Sequence, residues 1–162
     1  MKIGIISDTH GDAASIRKVL AVTPPVERWI HCGDFADDAN LLEQATGLPV
    51  CRVCGNCDAL HGPVTAKPDA FLEWEGCKVW VTHGNLYVGD ARDINQLFWW
   101  ARKLEQDIVI FGHIHRPVFE EQDGVWIVNP GSPSRPRDGS RAGFAVLTLS
   151  KGRKPRVDFY TV

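Results

Sequence analysis

The fold is decided near the start of the chain by the stretch Ile3-Gly4-Ile5-Ile6-Ser7-Asp8-Thr9-His10. Its apolar first half predicts a buried strand, and its second half is a polar loop that follows the strand directly. Asp12 is then placed to cap a helix that we predict over residues 13–21, which Pro24-Pro25 ends. A buried strand that leads through a short polar loop into a helix favours an α/β fold.

The same alternation of short apolar runs and helical patterns continues along the chain. Residues 71–81 predict two strands around a turn at Glu75-Gly76. Further strands are predicted at 28–31, 50–53, 108–111, 118–121, 125–128, 144–149 and 157–160, and further helices at 37–46 and 91–106. The chain therefore begins βαβαβ and ends mostly β, which predicts one domain over residues 1–162, built from two packed sheets with helices outside.

Composition excludes several classes of protein. The chain has 162 residues, of which 44% are hydrophobic and 23% charged, so it is globular rather than disordered or collagen-like. The net charge of −2 indicates neither a nucleic-acid-binding nor a membrane-surface protein. No apolar run approaches the roughly 20 residues that span a bilayer, and the start does not resemble a signal peptide. Five cysteines, an odd number, predict reduced thiols and a cytoplasmic location.

Polar side chains follow five of the predicted strands, at the point where each strand ends. In an α/β sheet, ligands bind beyond the carboxyl ends of the strands. Residues two apart face the same side of an extended chain, so we expect each of the two closely spaced pairs to point at one centre. The residues concerned are Asp8 with His10, Asp34, Asn56, His83, and His113 with His115.

These seven residues have the chemistry of metal ligands. Two Asp, one Asn and four His offer oxygen and nitrogen donors, which suit Mn²⁺, Fe²⁺, Co²⁺, Ni²⁺ or Zn²⁺ better than Ca²⁺. Seven ligands exceed what one tetrahedral ion needs and suit two ions that share a carboxylate. Two dications against two carboxylates leave a positive site, which would attract a phosphoryl group and lower the pKa of bound water.

The order of these motifs resembles that of the calcineurin-like metallophosphoesterases, most closely the small YfcE-type phosphodiesterases. Asn129-Pro130-Gly131-Ser132, followed by Pro136-Arg137, resembles the closing segment of that family. The resemblance spans about residues 1 to 160. Five blocks match in order: Asp8-x-His10, Gly33-Asp34, Gly55-Asn56-x-Asp58, His83-Gly84 and Gly112-His113-x-His115.

The resemblance implies a fold, a cofactor and a reaction. The fold is a four-layer α/β/β/α sandwich, and the reaction is hydrolysis of a phosphate ester, most often a diester, by in-line attack of a metal-bridging hydroxide. The cofactor is a pair of divalent ions, for which we expect Mn²⁺, with Ni²⁺, Co²⁺, Fe²⁺, Zn²⁺ and Mg²⁺ as alternatives. The first ion would be held by Asp8, His10, Asp34 and His115, and the second by Asp34 as bridge with Asn56, His83 and His113.

The residues beside the ligands supply the remaining predicted roles. Many relatives carry His where this chain has Cys57, but YfcE-type members also carry Cys. A thiol is a poor general acid at neutral pH, so we expect aryl esters and other good leaving groups to be favoured. The predicted catalytic residues are Asp8, Asp34, Asn56, Cys57 and Asp58, and the predicted substrate contacts are Asn56, Cys57, Asn85 and Arg137.

Other interpretations of these signals remain open. The spacing Cys51-x-x-Cys54-x-x-Cys57 is an alternative thiolate metal site, although small buried thiols are the simpler interpretation. A non-catalytic interaction scaffold like the related retromer subunit, or a nuclease, is an alternative function. We expect a small phosphate ester as the partner and no membrane. Trp99 and Trp100 are candidates for a contact between copies of the chain, and His31 and His61 for hydrogen bonds in the core.

Overall fold

The computed structural model describes residues 1–60, 63–88 and 93–162, and these residues contain ten strands and four α-helices. The strands are β1 (Lys2–Ile6), β2 (Arg28–His31), β3 (Val50–Arg52), β4 (Asp69–Trp74), β5 (Cys77–Thr82), β6 (Ile108–Ile110), β7 (Pro117–Gln122), β8 (Val125–Pro130), β9 (Gly143–Thr148) and β10 (Arg156–Thr161). The helices are α1 (Ala13–Val22), α2 (Ala39–Thr46), α3 (Asn85–Val88) and α4 (Asn95–Lys103).

The strands form two mixed sheets of five strands each. The order is β10-β9-β1-β2-β3 in the first sheet and β4-β5-β6-β8-β7 in the second. Each sheet has three parallel neighbours, β1 to β3 and β5, β6 and β8, with antiparallel strands added outside them. Because the three parallel strands of a sheet run the same way, their carboxyl ends open onto one edge, where the polar loops lie.

Three apolar clusters show that the sheets and helices stack as four layers. The central cluster joins the inner faces of the two sheets, for example Ile5 of β1 with Val81 of β5. Trp80 and Phe98 belong to a second cluster, between the second sheet and α4. A third cluster lies between the first sheet and the helices α1 and α2. The predicted α/β/β/α sandwich is confirmed, because every central strand is covered by apolar side chains on both faces.

Helix boundaries follow local chemistry closely. Asp12 caps α1 by accepting hydrogen bonds from the backbone N–H groups of Ala14 and Ser15, at 3.0 and 3.1 Å. The helix predicted at 37–46 begins as a 3₁₀ turn over 36–38, and α2 then ends at Gly47 in the left-handed conformation, with φ 68°.

The longest predicted helix differs most from the structure. Its described part, α4, covers Asn95–Lys103 and is shorter than the predicted 91–106, whose first two residues lie outside the described ones. The helix α3 and a 3₁₀ turn over 58–60 were not predicted, because runs of three or four residues carry too little periodicity. No helix in the described part of the chain is long and apolar enough to cross a membrane.

Candidate metal centre

Four predicted ligands meet at the carboxyl ends of the parallel strands. Asp8 and His10 follow β1, Asp34 follows β2, and His115 follows β6. One nitrogen or oxygen atom from each of these four side chains lies within 4.8 Å of the others. Asp8, Asp34 and His115 are all buried. A group of two carboxylates and two imidazoles this compact has the composition and size of a site for a divalent metal ion.

The loops that carry the ligands have an unusual backbone. Asp8, His10, Asp34, His113 and His115 all adopt the left-handed conformation, with φ between 51° and 67°. The expectation that the closely spaced pairs lie on extended backbone is therefore wrong, although the pairs do converge. A left-handed non-glycine residue costs of order 1–3 kcal/mol, and such residues concentrate at functional sites.

Two further predicted ligands lie directly against this cluster. The Nε2 atom of His83 is 3.3 Å from an oxygen of Asp34 and 4.0 Å from an oxygen of Asp8. The ring centroids of His83 and His113 are 5.2 Å apart. Six of the seven predicted ligands thus surround one buried region, with Asp34 in contact with side chains from both predicted subsets.

Hydrogen bonds fix which ring nitrogen faces the cluster in two of the histidines, His115 and His83. The Nδ1–H of His115 donates to the backbone carbonyl of Arg135 at 2.6 Å, and the Nδ1–H of His83 donates to that of Cys32 at 2.7 Å. In the neutral rings Nε2 therefore offers a lone pair. A hydrogen bond from the ring nitrogen that faces away from the metal orients histidines that bind metals.

The cluster leaves buried acceptors that a cation would satisfy. Nε2 of His115 lies 3.1 Å from Oδ1 of Asp8, so two lone-pair-bearing atoms face each other. Among the described residues, Oδ1 of Asp8 and Nε2 of His83 are buried without a hydrogen-bond partner. A buried polar atom without a partner is costly, and bound divalent ions would coordinate both of these atoms. The residues present therefore fit a metal centre.

The ionisation states also suit metal binding. Burial opposes ionisation of Asp8, but in the metal-free site the hydrogen bond and positive charges that His115 and His83 supply when protonated outweigh it and lower the pKa of Asp8 to about 2. Burial lowers the pKa of His10 and of His113, despite the neighbouring carboxylates. The carboxylate is thus charged and these imidazoles are favoured in the neutral form that ligands require.

Residues of the predicted closing segment support the first loop. The hydroxyl groups of Ser132 and Ser134 donate to the backbone carbonyl of Asp8 at 2.8 and 3.0 Å. The amide of Asn129 donates to the carbonyl of Gly112 at 2.6 Å. The motif Asn129-Pro130-Gly131-Ser132 identified this segment in the sequence. The structure adds that the segment holds the ligand loops in place.

Asn56, the seventh predicted ligand, is exposed in the structure. Its amide nitrogen donates to the sulfur of Cys57 at 3.5 Å, and no hydrogen bond of the described residues joins it to His83 or His113. The backbone N–H of Cys57 donates to Asp34 at 2.8 Å. Burial, together with the neighbouring carboxylates, raises the pKa of the Cys57 thiol to about 12, so the thiol is protonated at neutral pH.

The other predicted site residues, Asp58, Asn85 and Arg137, are not part of the ligand cluster. Both carboxylate oxygens of Asp58 accept backbone N–H groups, from Ala36 and Gly55, each at 2.6 Å, so Asp58 fastens two loops together. Asn85 is half-buried at the start of α3. The side chain of Arg137 is exposed, and the backbone N–H of Arg137 donates to the backbone carbonyl of His115.

The cysteines do not assemble a second site. All five are free, and no group of three or more potential ligands in the described part of the chain includes one. The thiolate alternative therefore has no support in the geometry. Among the histidines of the core, His31 makes the hydrogen bonds expected of it, whereas His61 lies outside the described residues.

A groove of about 130 Å³ opens beside the cluster. Phe35 forms part of its wall and also contacts the ring of His10, with centroids 5.6 Å apart. Residues 63–66 form an opposite, largely apolar wall. Three carboxylates line the same groove, from Asp37, Asp38 and Asp58. The groove is small compared with the roughly 300–1,000 Å³ of sites for drug-sized ligands.

Comparison with known proteins places these features in context. The family model described as the calcineurin-like phosphoesterase superfamily domain matches residues 1–152. The chain is 38% identical over 140 residues to a protein of Methanothermobacter thermautotrophicus named "Probable metallophosphoesterase", which covers 85% of this chain and 80% of that protein. It is 28% identical over 170 residues to phosphodiesterase YfcE of Escherichia coli, covering 91% and 87% of the two chains.

Solved structures share the fold. A crystal structure of a predicted phosphoesterase from Streptococcus pneumoniae superposes with a TM-score of 0.80 at 27% identity, covering 99% of this chain and 88% of that one. Vps29 of Entamoeba histolytica, solved in complex with Zn²⁺, superposes with a TM-score of 0.75 at 18% identity, covering 99% and 98% of the two chains. At that identity the likeness shows the fold alone.

Proposed function

The chain belongs to the calcineurin-like phosphoesterase superfamily, and we propose that it hydrolyses phosphodiesters with the help of two divalent metal ions. One observation carries this proposal: ligand atoms of Asp8, His10, Asp34 and His115 converge in one cluster, in which the buried Oδ1 atom of Asp8 has no hydrogen-bond partner. The curated relatives named phosphodiesterase support the choice of reaction.

The proposed ligand sets follow the contacts of Asp34. Its Oδ2 atom is 3.8 Å from Nε2 of His10, and its Oδ1 atom is 3.3 Å from Nε2 of His83. Asp34 would therefore bridge a first ion, held with Asp8, His10 and His115, and a second ion, held with Asn56, His83 and His113. Such ions, for which we propose Mn²⁺, supply a hydroxide nucleophile at neutral pH and polarise the phosphoryl oxygens.

Asn56 is the proposed ligand that lies at the exposed side of the site. Its amide nitrogen donates to the sulfur of Cys57, so the amide oxygen is the atom that would join the second set. Asn56 is exposed, so its side chain can adjust toward an ion without displacing a core residue. We propose that the exposed amide then contacts both the second ion and the phosphoryl group.

Cys57 limits which esters the site hydrolyses well. A thiol with a pKa of about 12 transfers its proton poorly to a leaving group at neutral pH. The reaction then depends on the stability of the departing alcohol itself, so aryl esters and other good leaving groups are favoured. Asn85 and the exposed Arg137 are proposed as contacts for the outer part of the substrate.

The groove beside His10 suggests the kind of organic group that the substrate carries. Its three carboxylates repel a second anionic group, whereas Phe35 and the apolar wall accept a small carbon skeleton. We propose that the site takes phosphodiesters whose alcohol group is small and uncharged or cationic. A nuclease function fits less well, because a polynucleotide would bring further phosphates to this acidic groove.

The interaction scaffold is the weaker alternative. Its support is a likeness of fold at 18% identity, and a scaffold without catalysis would not require the ligand positions to be filled. This chain has an Asp, Asn or His at all seven predicted ligand positions. No contact of the described residues favours a macromolecular partner over a small substrate at this site.

Hydrolysis of bis(p-nitrophenyl) phosphate tests the proposed function. We expect Mn²⁺-loaded protein to release p-nitrophenol, chelation to abolish the release, and added Mn²⁺ to restore it. Asp123→Asn is a suitable control, since Asp123 lies in the turn after β7 and pairs there with exposed Arg102. Turnover that survives complete chelation would contradict the proposal, as would metal-loaded protein without turnover on any phosphate ester.

A further inference from the structure

We propose that His31 is a positioning residue for the metal centre, acting through Thr9 and Asp38 to hold together the loops that follow β1 and β2. The inference rests on the proposed function, because these loops carry three of the predicted ligands. His31 ends β2, is fully buried, and is not itself a predicted ligand. Its neighbours connect it to both loops.

The hydrogen bonds around His31 assign every proton. The backbone N–H of Gly33 donates to Nδ1 of His31 at 3.2 Å, so Nδ1 carries no proton. The neutral ring then carries its proton on Nε2, which donates to the hydroxyl oxygen of Thr9 at 2.9 Å. That hydroxyl donates its own proton to Oδ2 of Asp38 at 2.6 Å. The network therefore runs in one direction, from His31 through Thr9 to Asp38.

At one end, the network forms hydrogen bonds with the loop after β1. Thr9 lies between Asp8 and His10, and both of these neighbours have left-handed backbone, with φ 55° and 51°. Asp38 also accepts the backbone N–H of Gly11 at 2.9 Å. The loop is thus held on both sides of His10, in a conformation that its own residues disfavour.

The other end of the network belongs to the loop after β2. Gly33, which donates to His31, directly precedes the ligand Asp34. The carbonyl of Gly33 also accepts the backbone N–H of Asp8 at 3.1 Å. His31 therefore holds the two ligand loops together where they meet. It thereby helps to fix the distance between Asp8 and Asp34. Partners that orient metal ligands from outside typically contribute 10–100-fold to metal affinity or activity.

Thr9→Val tests the network most cleanly, because valine keeps the branched shape and removes the hydroxyl. We expect this variant to bind Mn²⁺ roughly 10–100-fold more weakly than the wild type in isothermal titration calorimetry. Thr9→Ser keeps the hydroxyl and is the matched control, with an affinity close to that of the wild type. A structural role alone would not produce this rescue of metal affinity.

His31→Asn tests the other member of the pair. The Asn carbonyl can still accept the N–H of Gly33 two residues later, but the shorter side chain does not reach Thr9. We expect a similar loss of Mn²⁺ affinity. The double variant His31→Asn with Thr9→Val should lose little more than Thr9→Val alone, because Thr9→Val already removes the hydrogen bond between His31 and Thr9.

Asp38→Ala provides a test that does not depend on changing a buried side chain, since Asp38 is half-buried. We expect its Mn²⁺ affinity to fall at least about tenfold. If the variants unfold at lower temperature yet bind Mn²⁺ as tightly as the wild type, His31 is merely part of the core and the inference is overturned. If the wild type itself binds no Mn²⁺, the proposed function and this inference both fail.

Discussion

Asp34 is the single residue on which the proposed reaction depends most. It contacts His10 through one oxygen and His83 through the other, and the backbone N–H of Cys57 holds it in place. In the sequence, its place next to Gly33, just beyond a predicted strand, predicts a metal ligand. The sequence does not determine the rotamer of a side chain, so it predicts Asn56 as a ligand without predicting the contact of its amide nitrogen with the sulfur of Cys57.

Replacing Asp34 with Asn should remove most of the activity. The substitution keeps the size of the side chain but removes the charge that two metal ions would share. We expect at least roughly 100-fold slower hydrolysis of bis(p-nitrophenyl) phosphate and less bound metal, measured by elemental analysis. Asp123→Asn, at the far turn, should change neither quantity. Normal metal content in Asp34→Asn would exclude the bridging role.

Replacing Cys57 with His should widen the range of esters that are hydrolysed. An imidazole titrates near neutral pH and can protonate a poor leaving group, which a thiol with a pKa of about 12 does not do. We expect the turnover of alkyl monoesters to rise about tenfold or more relative to that of aryl diesters. Cys57→Ala is the control, with no such rise. An unchanged preference in Cys57→His would argue against a role for Cys57.

At the scale of elements, the sequence predicted every strand of the described residues but not the backbone of the loops between them. Apolar runs such as Ile108–Ile110 are recognisable because both of their faces are buried. The left-handed conformations of Asp8 and His115 leave no comparable signal, because surrounding contacts impose them against the preference of each residue. Short helices such as α3 escape prediction for lack of periodicity.

Two glycines allow the ligand loops to approach each other. A Cβ atom on Gly55 would overlap the carboxylate of Asp34, and one on Gly112 would overlap Ser7 and lie 2.8 Å from Oδ2 of Asp8. The ligands that approach these two glycines are Asp34 at Gly55 and Asp8 at Gly112. Even the smallest side chain therefore forces a ligand out of its position.

Gly112→Ala should accordingly damage both stability and metal binding. Overpacking typically costs about 1–3 kcal/mol, and here the groups displaced are Ser7 and the carboxylate of the neighbouring ligand Asp8. We expect a lower free energy of unfolding in urea and at least about tenfold weaker Mn²⁺ binding. In the control Gly139→Ala the new Cβ meets open space, so backbone strain at φ +73° is its only cost and Mn²⁺ binding should be normal. Equal Mn²⁺ affinity in the two variants would show that the close approach of Asp8 to Gly112 is not needed for metal binding.

At the scale of the whole molecule, buried His31 should make folding depend on pH. Burial lowers its pKa from 6.5 to about 4, so between these values the unfolded chain binds a proton that the folded chain does not. The stability is fully present above pH 6.5 and falls as the pH drops toward 4. The titration of His31 alone should lower the free energy of unfolding by about 3 kcal/mol between pH 6.5 and pH 4.

Urea unfolding of the metal-free protein at pH 7 and pH 4 measures this contribution. His31→Asn should lose less stability between the two pH values than the wild type does. Burial also lowers the pKa of His10 and His113, so the wild type and the variant should both retain some dependence on pH. Identical losses in the two proteins would show that His31 is not the titrating group.

The acidic groove makes a prediction about substrates. Mn²⁺-loaded protein should bind 2-aminoethyl phosphate more tightly than ethyl phosphate, and 2-carboxyethyl phosphate least, as competitors of diester hydrolysis. Asp37 is exposed in the groove, so Asp37→Asn should narrow the difference between the charged esters by about threefold. Asp123→Asn should leave the difference as it is. Equal inhibition by all three esters would mean that the groove does not select substrates by charge.

The most direct test is to count the metal ions that the folded chain holds. The purified protein, stripped with a chelator and then saturated with Mn²⁺ and freed of excess ions, is analysed for bound metal per chain while its hydrolysis of bis(p-nitrophenyl) phosphate is followed. Two ions per chain, with turnover appearing as the second site fills, is the result that a shared Asp34 predicts. Full turnover with no bound metal, or no more than one ion at saturation, would contradict the two-metal site.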